Sequence, residues 1–336
     1  VSLKPYLHRV TAGEHLSSDD AHRAMSVILE GSATESSLAA FLVALKMKGE
    51  TAAELSGFAR AMRDRAVFVD AGEDVIDTCG TGGDGAGTFN ISTVSALVMA
   101  GAGARVAKHG NRAITSKSGS AEMMEVLGVR FAMTPEEATA AVREAGIGFL
   151  FAPHMHPAMK HAQPVRRELG FRTVFNLLGP LANPARALRQ LIGAPSREAA
   201  ALMAEALAAL GTIHAFVVHG HDGLDEISIS GPTEVHEVRG KRVRHLTWTP
   251  ADFDLPAASL HSILGGDPQQ NAAIALEILS GANGPRRNIV LMNAAAGLVA
   301  AGLAPDLKHG VAMAAHSIDS GEATARLNKL KHHWPA

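Results

Sequence analysis

DTCGTGGDGAGTFNIST, running from Asp77 to Thr93, decides how this chain is read. It sets five glycines, Gly80, Gly82, Gly83, Gly85 and Gly87, between a short apolar strand at Val75 and Ile76 and a long apolar helix from Val94. Glycine lets backbone N–H groups approach an anionic ligand closely, because no Cβ intervenes and positive φ is open to it. The helix start adds Asn90, Ser92 and Thr93 beside N–H groups that lack intrahelical partners, so strand, loop and helix together predict a phosphate site. No Lys-Ser or Lys-Thr follows the last glycine, which excludes a Walker loop, and the spacing GTGGDG is not a Rossmann fingerprint.

Downstream of this stretch the pattern alternates. Strands are predicted at Val75–Thr78, Arg105–Ala107, Ile147–Phe151, Leu188–Ile192 and Ala215–Val218. Helices are predicted at Ser92–Ala102, Ser120–Leu127 and Arg197–Leu210, and from the Thr134/Glu137 capping box, with Pro135 at the first helical position, to Gly146. Such alternation argues the α/β class, with a mainly parallel central sheet covered on both faces. Glu234–Val238 and Arg242–Thr247, around Arg239-Gly240-Lys241, read as a hairpin. Asp267-Pro268 opens a helix ended by Gly281, and Ala-rich helices close the chain.

Upstream, only helix signals occur. Ser17 or Ser18 caps a helix toward Glu30, and Thr34 precedes the stripe Leu38, Phe41, Leu42, Leu45, ended by Gly49. Thr51 and Glu54 form a capping box for a helix through Met62. The expected organisation is therefore a small N-terminal helical domain, residues 1–70, and a larger α/β domain, residues 71–336.

The chain has 336 residues, 47% of them hydrophobic and 19% charged, which suits a globular protein with a substantial core. A net charge of −2 offers no field to collect nucleic acid or an anionic membrane, so phosphate recognition must be local. The single cysteine, Cys79, excludes an intrachain disulfide, favours a reducing compartment, and reads as a small packing residue. Val1–His15 shows no signal-peptide pattern and no apolar run is long enough to span a bilayer, so a cytoplasmic location is expected.

In parallel sheets, ligands sit beyond the carboxyl ends of the strands. Four segments are placed there: the glycine loop after Thr78, Lys108–Arg112 after Ala107, Pro153–Lys160 after Phe151, and Gly220–Glu226 after His219. Lys108 would bring a mobile positive charge, and Asn111 both a donor and an acceptor. Thr115, Ser116, Ser118 and Ser120 around Gly119 suggest a second anion-friendly helix start. Asp225 and Glu226 suit Mg²⁺, which commonly uses one or two carboxylates plus substrate phosphates. Adjacent residues of a strand point to opposite faces, so joint binding needs a loop–strand junction or two ions, and the alternative is a pair of exposed acids. His154, His156, Lys160 and His161 lack a third clear ligand and read as channel-lining or capping groups. Arg166 and Arg167, on the same predicted helix, cannot share a face, and one of them would clamp a carboxylate.

Together the segments GTGGDG (80–85), NIST (90–93), KHGNR (108–112), SKSGSA (116–121), FAPHMHPAMK (151–160), VRRELG (165–170), TVFNLLGPLANP (173–184) and DGLDEIS (222–228) closely resemble the anthranilate phosphoribosyltransferase family, over residues 3–330. One departure is Glu122, where the family more often has Asp. The resemblance implies a small helical domain, including helices from residues 160–185, an active site in the cleft beside the α/β domain, and a homodimer formed through the helical part. It implies that Gly80, Gly83, Asp84, Thr88, Asn90, Ile91, Ser92, Thr93, Lys108 and Ser120 hold phosphoribosyl pyrophosphate, and that Ser92, Asp225 and Glu226 hold Mg²⁺. Gly80, His109, Asn111, Arg166 and Gly179 would meet anthranilate, with Lys108, Asn111 and Arg166 the residues expected to carry catalysis. A pyrimidine-nucleoside phosphorylase shares this architecture by resemblance, but the Asp225–Glu226 pair and KHGNR argue against it. Near-neutral charge argues against a non-catalytic nucleic-acid-binding module.

Overall fold

The computed structural model describes residues 2–113 and 118–336. Four helices open the chain: α1 (Lys4–Thr11), α2 (Ser18–Leu29), α3 (Glu35–Lys48) and α4 (Ala52–Arg65). Ser17, not Ser18, caps α2, its side chain accepting from Asp20 N–H. The Thr51/Glu54 capping box forms at α4, and Glu54 does more than cap. Fully buried, it also accepts from Leu16 N–H (2.9 Å) and Lys48 Nζ (2.9 Å), which ties the starts of α2 and α4 to the end of α3.

The remainder alternates as β1 (Val75–Gly80), α5 (Ile91–Gly101), β2 (Arg105–Gly110), α6 (Ser120–Val126), α7 (Pro135–Ala145) and β3 (Ile147–Phe151). Short helices α8 (Ala152–Met155), α9 (Gln163–Leu169) and α10 (Phe175–Leu181) follow, then β4 (Arg189–Gly193), α11 (Arg197–Ala209) and β5 (His214–Gly220). The hairpin β6 (Thr233–Arg239) and β7 (Arg242–Trp248) precedes α12 (Pro268–Leu279), α13 (Pro285–Ala300), α14 (Leu307–Asp319) and α15 (Glu322–His333). The seven strands run in the order β3-β2-β1-β4-β5-β6-β7, with β1 to β5 parallel and β6 and β7 antiparallel.

That order creates the site. From β1 the chain builds outward to β2 and β3, then returns to the other side of β1 with β4. The crevice beyond the carboxyl ends of β1 and β4 is the topological switch point, where such sheets bind ligands. The glycine loop leaves β1 there, opposite Gly193 in the pairing Gly80↔Gly193.

Strand alternation divides the core between the two faces of the sheet. Leu191, Phe216 and Val218 join α5 and the C-terminal helices, whereas Ile192, Ala215 and Val217 join the N-terminal helices, α10 and α11. Helix α5 is buried at nine of its eleven positions, which explains its apolar sequence. Among the described residues, no helix is long and apolar enough to cross a membrane.

Candidate active site

Beyond Gly80 the loop is held open by glycines in the left-handed region, with φ of 74° at Gly82, 69° at Gly83, 73° at Gly85 and 67° at Gly87. The acids of the loop after β5 fold onto it. Asp225 Oδ2 accepts from Gly82 N–H (2.7 Å), and Glu226 Oε1 accepts from Ser92 N–H at the start of α5 (3.1 Å). Both acids are buried and lie in a loop after β5, which meets the condition set for joint binding and leaves no pair of exposed acids: each takes a different amide of the same crevice. Gly80 and Gly193 make this approach possible. A Cβ on Gly80 would lie 2.3 Å from Asp225 Oδ2, and one on Gly193 would lie 1.5 Å from the Asp225 carbonyl oxygen.

Two N–H groups expected to be free for phosphate are therefore engaged by carboxylates, and Ile91 N–H donates to Phe89 O (2.7 Å). Gly83, Asp84 and Gly85 keep N–H groups without a hydrogen-bond partner among the described residues. The side chains of Ile91 and Thr93 are buried, so Ile91 meets the crevice through backbone alone, and Thr93 Oγ1 has no partner among the described residues. Thr88 bridges to Leu264, and Asn90 is fixed by Asn271 Nδ2 (2.9 Å) and by Ser118.

Electrostatics mark the acids out. Burial pushes the Asp225 carboxyl up to about 7, and the neighbouring Asp84 charge adds to the shift. Burial followed by the Asp225 charge pushes Glu226 up to about 8. Sequence pointed to two acids, but Asp84 makes a third. Lys108 opposes them. Expected as a mobile charge in a loop, it stands instead within β2, buried, with Nζ donating to Thr78 O (2.5 Å) and Ser92 Oγ (3.2 Å). The strand continues through Lys108-His109-Gly110 because their backbone pairs with Phe149–Phe151 of β3.

Asp225, Glu226 and Ser92 Oγ form an all-oxygen donor set, and burial raises both carboxyls toward neutral pH, a penalty on their ionised forms that a divalent cation would relieve. The residues present fit Mg²⁺.

On the far side of β2, His109 Nδ1 lies 3.1 Å from Gly179 O and must donate to it, leaving Nε2 as a buried acceptor with no partner. Burial, followed by His156, holds its pKa near 3, so the ring is neutral. The His156 ring is 5.1 Å from it. His109 N–H donates to the fully buried Asp77, whose other oxygen accepts from Asn183 Nδ2 (2.7 Å). Cys79 also donates to Asp77, and burial pushes its thiol well up, making it inert packing.

The histidine segment and Arg166 do not share a helix. The chain breaks into α8, a 3₁₀ turn at Pro157–His161, and α9, with proline near the start of each. His154 meets the Phe151 ring edge-to-face, while His161 packs against Gly31. On α9, Arg167 is exposed and Arg166 is half-buried over the Phe175 ring (5.1 Å). Burial lowers the Arg166 pKa, and among the described residues no acid pairs with it. Gly179, one turn beyond Phe175 on α10, faces open space. Asn111 is exposed, its side-chain carbonyl accepting from Arg112 N–H (2.8 Å), so its NH₂ is the group on offer. Ser120 Oγ donates to Asn111 O (3.2 Å), Glu122 takes Gly119 N–H and Ala113 N–H, and Thr115 and Ser116 lie outside the described residues.

Sequence reasoning missed Arg172, whose Nη2 donates to the carbonyls of Gly82 and Gly83 and fastens the loop from the α9–α10 connection. It also missed Gly193, which lies in no motif, and assigned no role to Asp77 and Asn183, although both fall within quoted segments.

The chain matches the glycosyl transferase family helical bundle domain over residues 4–66 and the glycosyl transferase family a/b domain over residues 72–324. It is 58% identical over 333 residues to an anthranilate phosphoribosyltransferase of Solibacter usitatus, covering 98% of each chain. A solved structure of anthranilate phosphoribosyltransferase from Thermus thermophilus aligns with a TM-score of 0.91 at 45% identity, covering 97% of this chain and 98% of that one. The Saccharomyces cerevisiae enzyme, solved in complex with phosphoribosyl pyrophosphate and Mg, aligns with a TM-score of 0.88 at 32% identity, covering 98% and 97%.

Proposed function

The chain belongs to the anthranilate phosphoribosyltransferase family, and from that premise we propose that it transfers the 5-phosphoribosyl group from phosphoribosyl pyrophosphate to the amine of anthranilate, a step of tryptophan biosynthesis. The observation that carries the reading is the pair of buried acids, Asp225 and Glu226, seated on the Gly82 and Ser92 amides at the switch point, with burial raising both carboxyls.

The amine lone pair attacks C1 of the ribose, the bond from C1 to the pyrophosphate oxygen breaks, and the ammonium product gives its proton to solvent. Negative charge grows on the leaving group, so fixed donors aimed at it lower the barrier. The N–H groups of Gly83, Asp84 and Gly85, without partners among the described residues, supply such donors, and the Lys108 ammonium, with two of its three N–H groups committed, supplies fixed charge. Asp225, Glu226 and Ser92 would hold Mg²⁺, which when bound neutralises diphosphate charge. Arg166 clamps the anthranilate carboxylate, Asn111 NH₂ donates to it, and His109 with Gly179 lines its approach. An aromatic amine is nucleophilic when neutral, and the neutral His109 ring suits orientation of the amine by its free acceptor, with positioning supplying much of the rate. Gly80, Thr88, Asn90, Ile91, Thr93 and Ser120 shape the donor pocket.

The same reading places a helical domain at residues 1–70 with the 160–185 helices and an α/β domain from residue 71. It also includes a cytoplasmic location and a homodimer through the helical domain, where Met47 is 84% exposed. Light scattering tests the dimer. The function is tested by following loss of anthranilate fluorescence with protein, phosphoribosyl pyrophosphate and Mg²⁺, omitting each in turn. Turnover that survives omission of the donor overturns the reaction, and turnover that survives chelation of divalent ions overturns the metal.

A further inference from the structure

Outside the crevice, the edge hairpin carries a second group of ligating side chains. Glu234 and His236 stand two apart on β6 and therefore share a face, and His245 is the cross-strand partner of His236 on β7. The two imidazoles lie 5.1 Å apart, and Nε2 of each is 3.4 Å from the same carboxylate oxygen, Glu234 Oε1. One ligand atom from each of the three residues falls within 4.8 Å of the others.

With metal–ligand bonds of about 2.0–2.1 Å, neighbouring ligand atoms of a tetrahedral ion stand about 3.3 Å apart. Two edges of that figure are already present. His236 is only 8% exposed, and its covered Nε2 meets Glu234 Oε1 at 3.4 Å without a well-formed hydrogen bond. A buried ring nitrogen whose polar neighbour is too long and poorly aligned to satisfy it gains stability when an ion occupies it. The carboxylate is oriented from its other side, where Arg197 Nε of α11 lies 3.3 Å from Glu234 Oε2. Ligating carboxylates are commonly held by such outer contacts. His245, 58% exposed, leaves the group open to solvent.

We propose that Glu234, His236 and His245 form a second metal site, which takes Zn²⁺ or a similar borderline divalent transition ion and leaves one outward position for water. Two imidazoles and one carboxylate suit Zn²⁺, whereas Mg²⁺ prefers oxygen ligands, so this site and the crevice select different ions. The ion clips β7, the edge strand, to β6 and protects the ladder that would otherwise fray.

The test uses the full, untagged chain, stripped with chelator and returned to excess Mg²⁺. Titration calorimetry with Zn²⁺, and visible absorption with Co²⁺, which colours strongly in tetrahedral sites, read binding directly. Wild type and Asp225→Asn are expected to bind one Zn²⁺ per chain with the tetrahedral Co²⁺ spectrum. His245→Ala, at an exposed position, and Glu234→Gln, at a partly buried one, are expected to lose at least tenfold in affinity and to lose the spectrum. Zn²⁺ raises the melting temperature of wild type and not of His245→Ala. Equal Zn²⁺ affinity in wild type and both ligand variants, or no tetrahedral Co²⁺ spectrum in wild type, overturns the proposal.

Discussion

Replacing Glu226 with glutamine should make the metal-free protein more stable at alkaline pH, although it removes an expected ligand. Glu226 titrates near 8 in the folded chain against 4.5 for an ordinary glutamate, because burial and the Asp225 charge penalise its ionised form. Below the ordinary value, folded and unfolded chains both hold the proton, and stability does not depend on it. Between 4.5 and about 8 the unfolded chain has shed a proton that the folded chain keeps, so stability falls as pH rises, and it levels off above. Each unit of separation is worth about 1.4 kcal/mol, which gives roughly 3–5 kcal/mol at full ionisation, shared with Asp225 because the two titrate as a pair. For a chain of this length that is a melting difference of roughly 4–7 °C. Glutamine keeps an oxygen for Ser92 N–H and never ionises. Melting curves in chelator from pH 5 to 9 should show wild type and Glu226→Gln close together at pH 5 and the variant higher at pH 9. Mg²⁺ should restore wild type at pH 9, by about 2.7 kcal/mol when present at a hundred times its dissociation constant, and should leave the variant little changed. Parallel curves for the two proteins across the whole range in chelator would refute the reasoning.

Other variants probe the remaining contacts. Arg166→Ala removes a charged clamp worth about 1.5–3 kcal/mol, so the KM for anthranilate should rise roughly ten- to hundredfold while that for phosphoribosyl pyrophosphate holds; steady-state kinetics with each substrate varied decides it. Gly193→Ala sets a Cβ 1.5 Å from the Asp225 carbonyl oxygen, so the acid loop must move. A shift of about 1 Å costs on the order of a hundredfold in rate, and turnover should fall at least that far with the circular dichroism spectrum intact. Arg172→Ala releases the Gly82 and Gly83 carbonyls and should raise the KM for phosphoribosyl pyrophosphate several-fold, with little change in melting because Arg172 is only partly buried; an unchanged KM would deny the loop-fastening role.

Much of the fold was legible because local chemistry announced it. The capping boxes at Thr51 and Thr134 form as read, and the apolar run Ile147–Phe151 is a strand buried along its whole length. Strand order was not legible, since nothing local says that β4 returns to the far side of β1. Lys108-His109-Gly110 looked like a loop because it is polar, yet strand pairing with β3 and the partners Thr78 O, Ser92 Oγ and Asp77 make polar residues tolerable inside the sheet. The glycine loop pointed to phosphate, but only folding reveals that Asp225 and Glu226 take the Gly82 and Ser92 amides. Gly193 and Arg172 act through approaches between segments distant in sequence, and a single glycine or arginine carries no periodicity to betray that. The hairpin was read correctly, but its His236–His245 register depends on the turn and could not be paired from composition.

The central claim is that a sugar diphosphate lies over the Gly80–Gly87 turn with its charge shared by a divalent ion between Asp225 and Glu226. A crystal of the protein soaked with phosphoribosyl pyrophosphate and Mn²⁺ tests it through the anomalous signal of the metal. The account predicts a peak within bonding distance of Asp225 or Glu226 and diphosphate density on the Gly83–Gly85 amides. Donor and metal bound together elsewhere, with both acids still seated on Gly82 and Ser92, would contradict it.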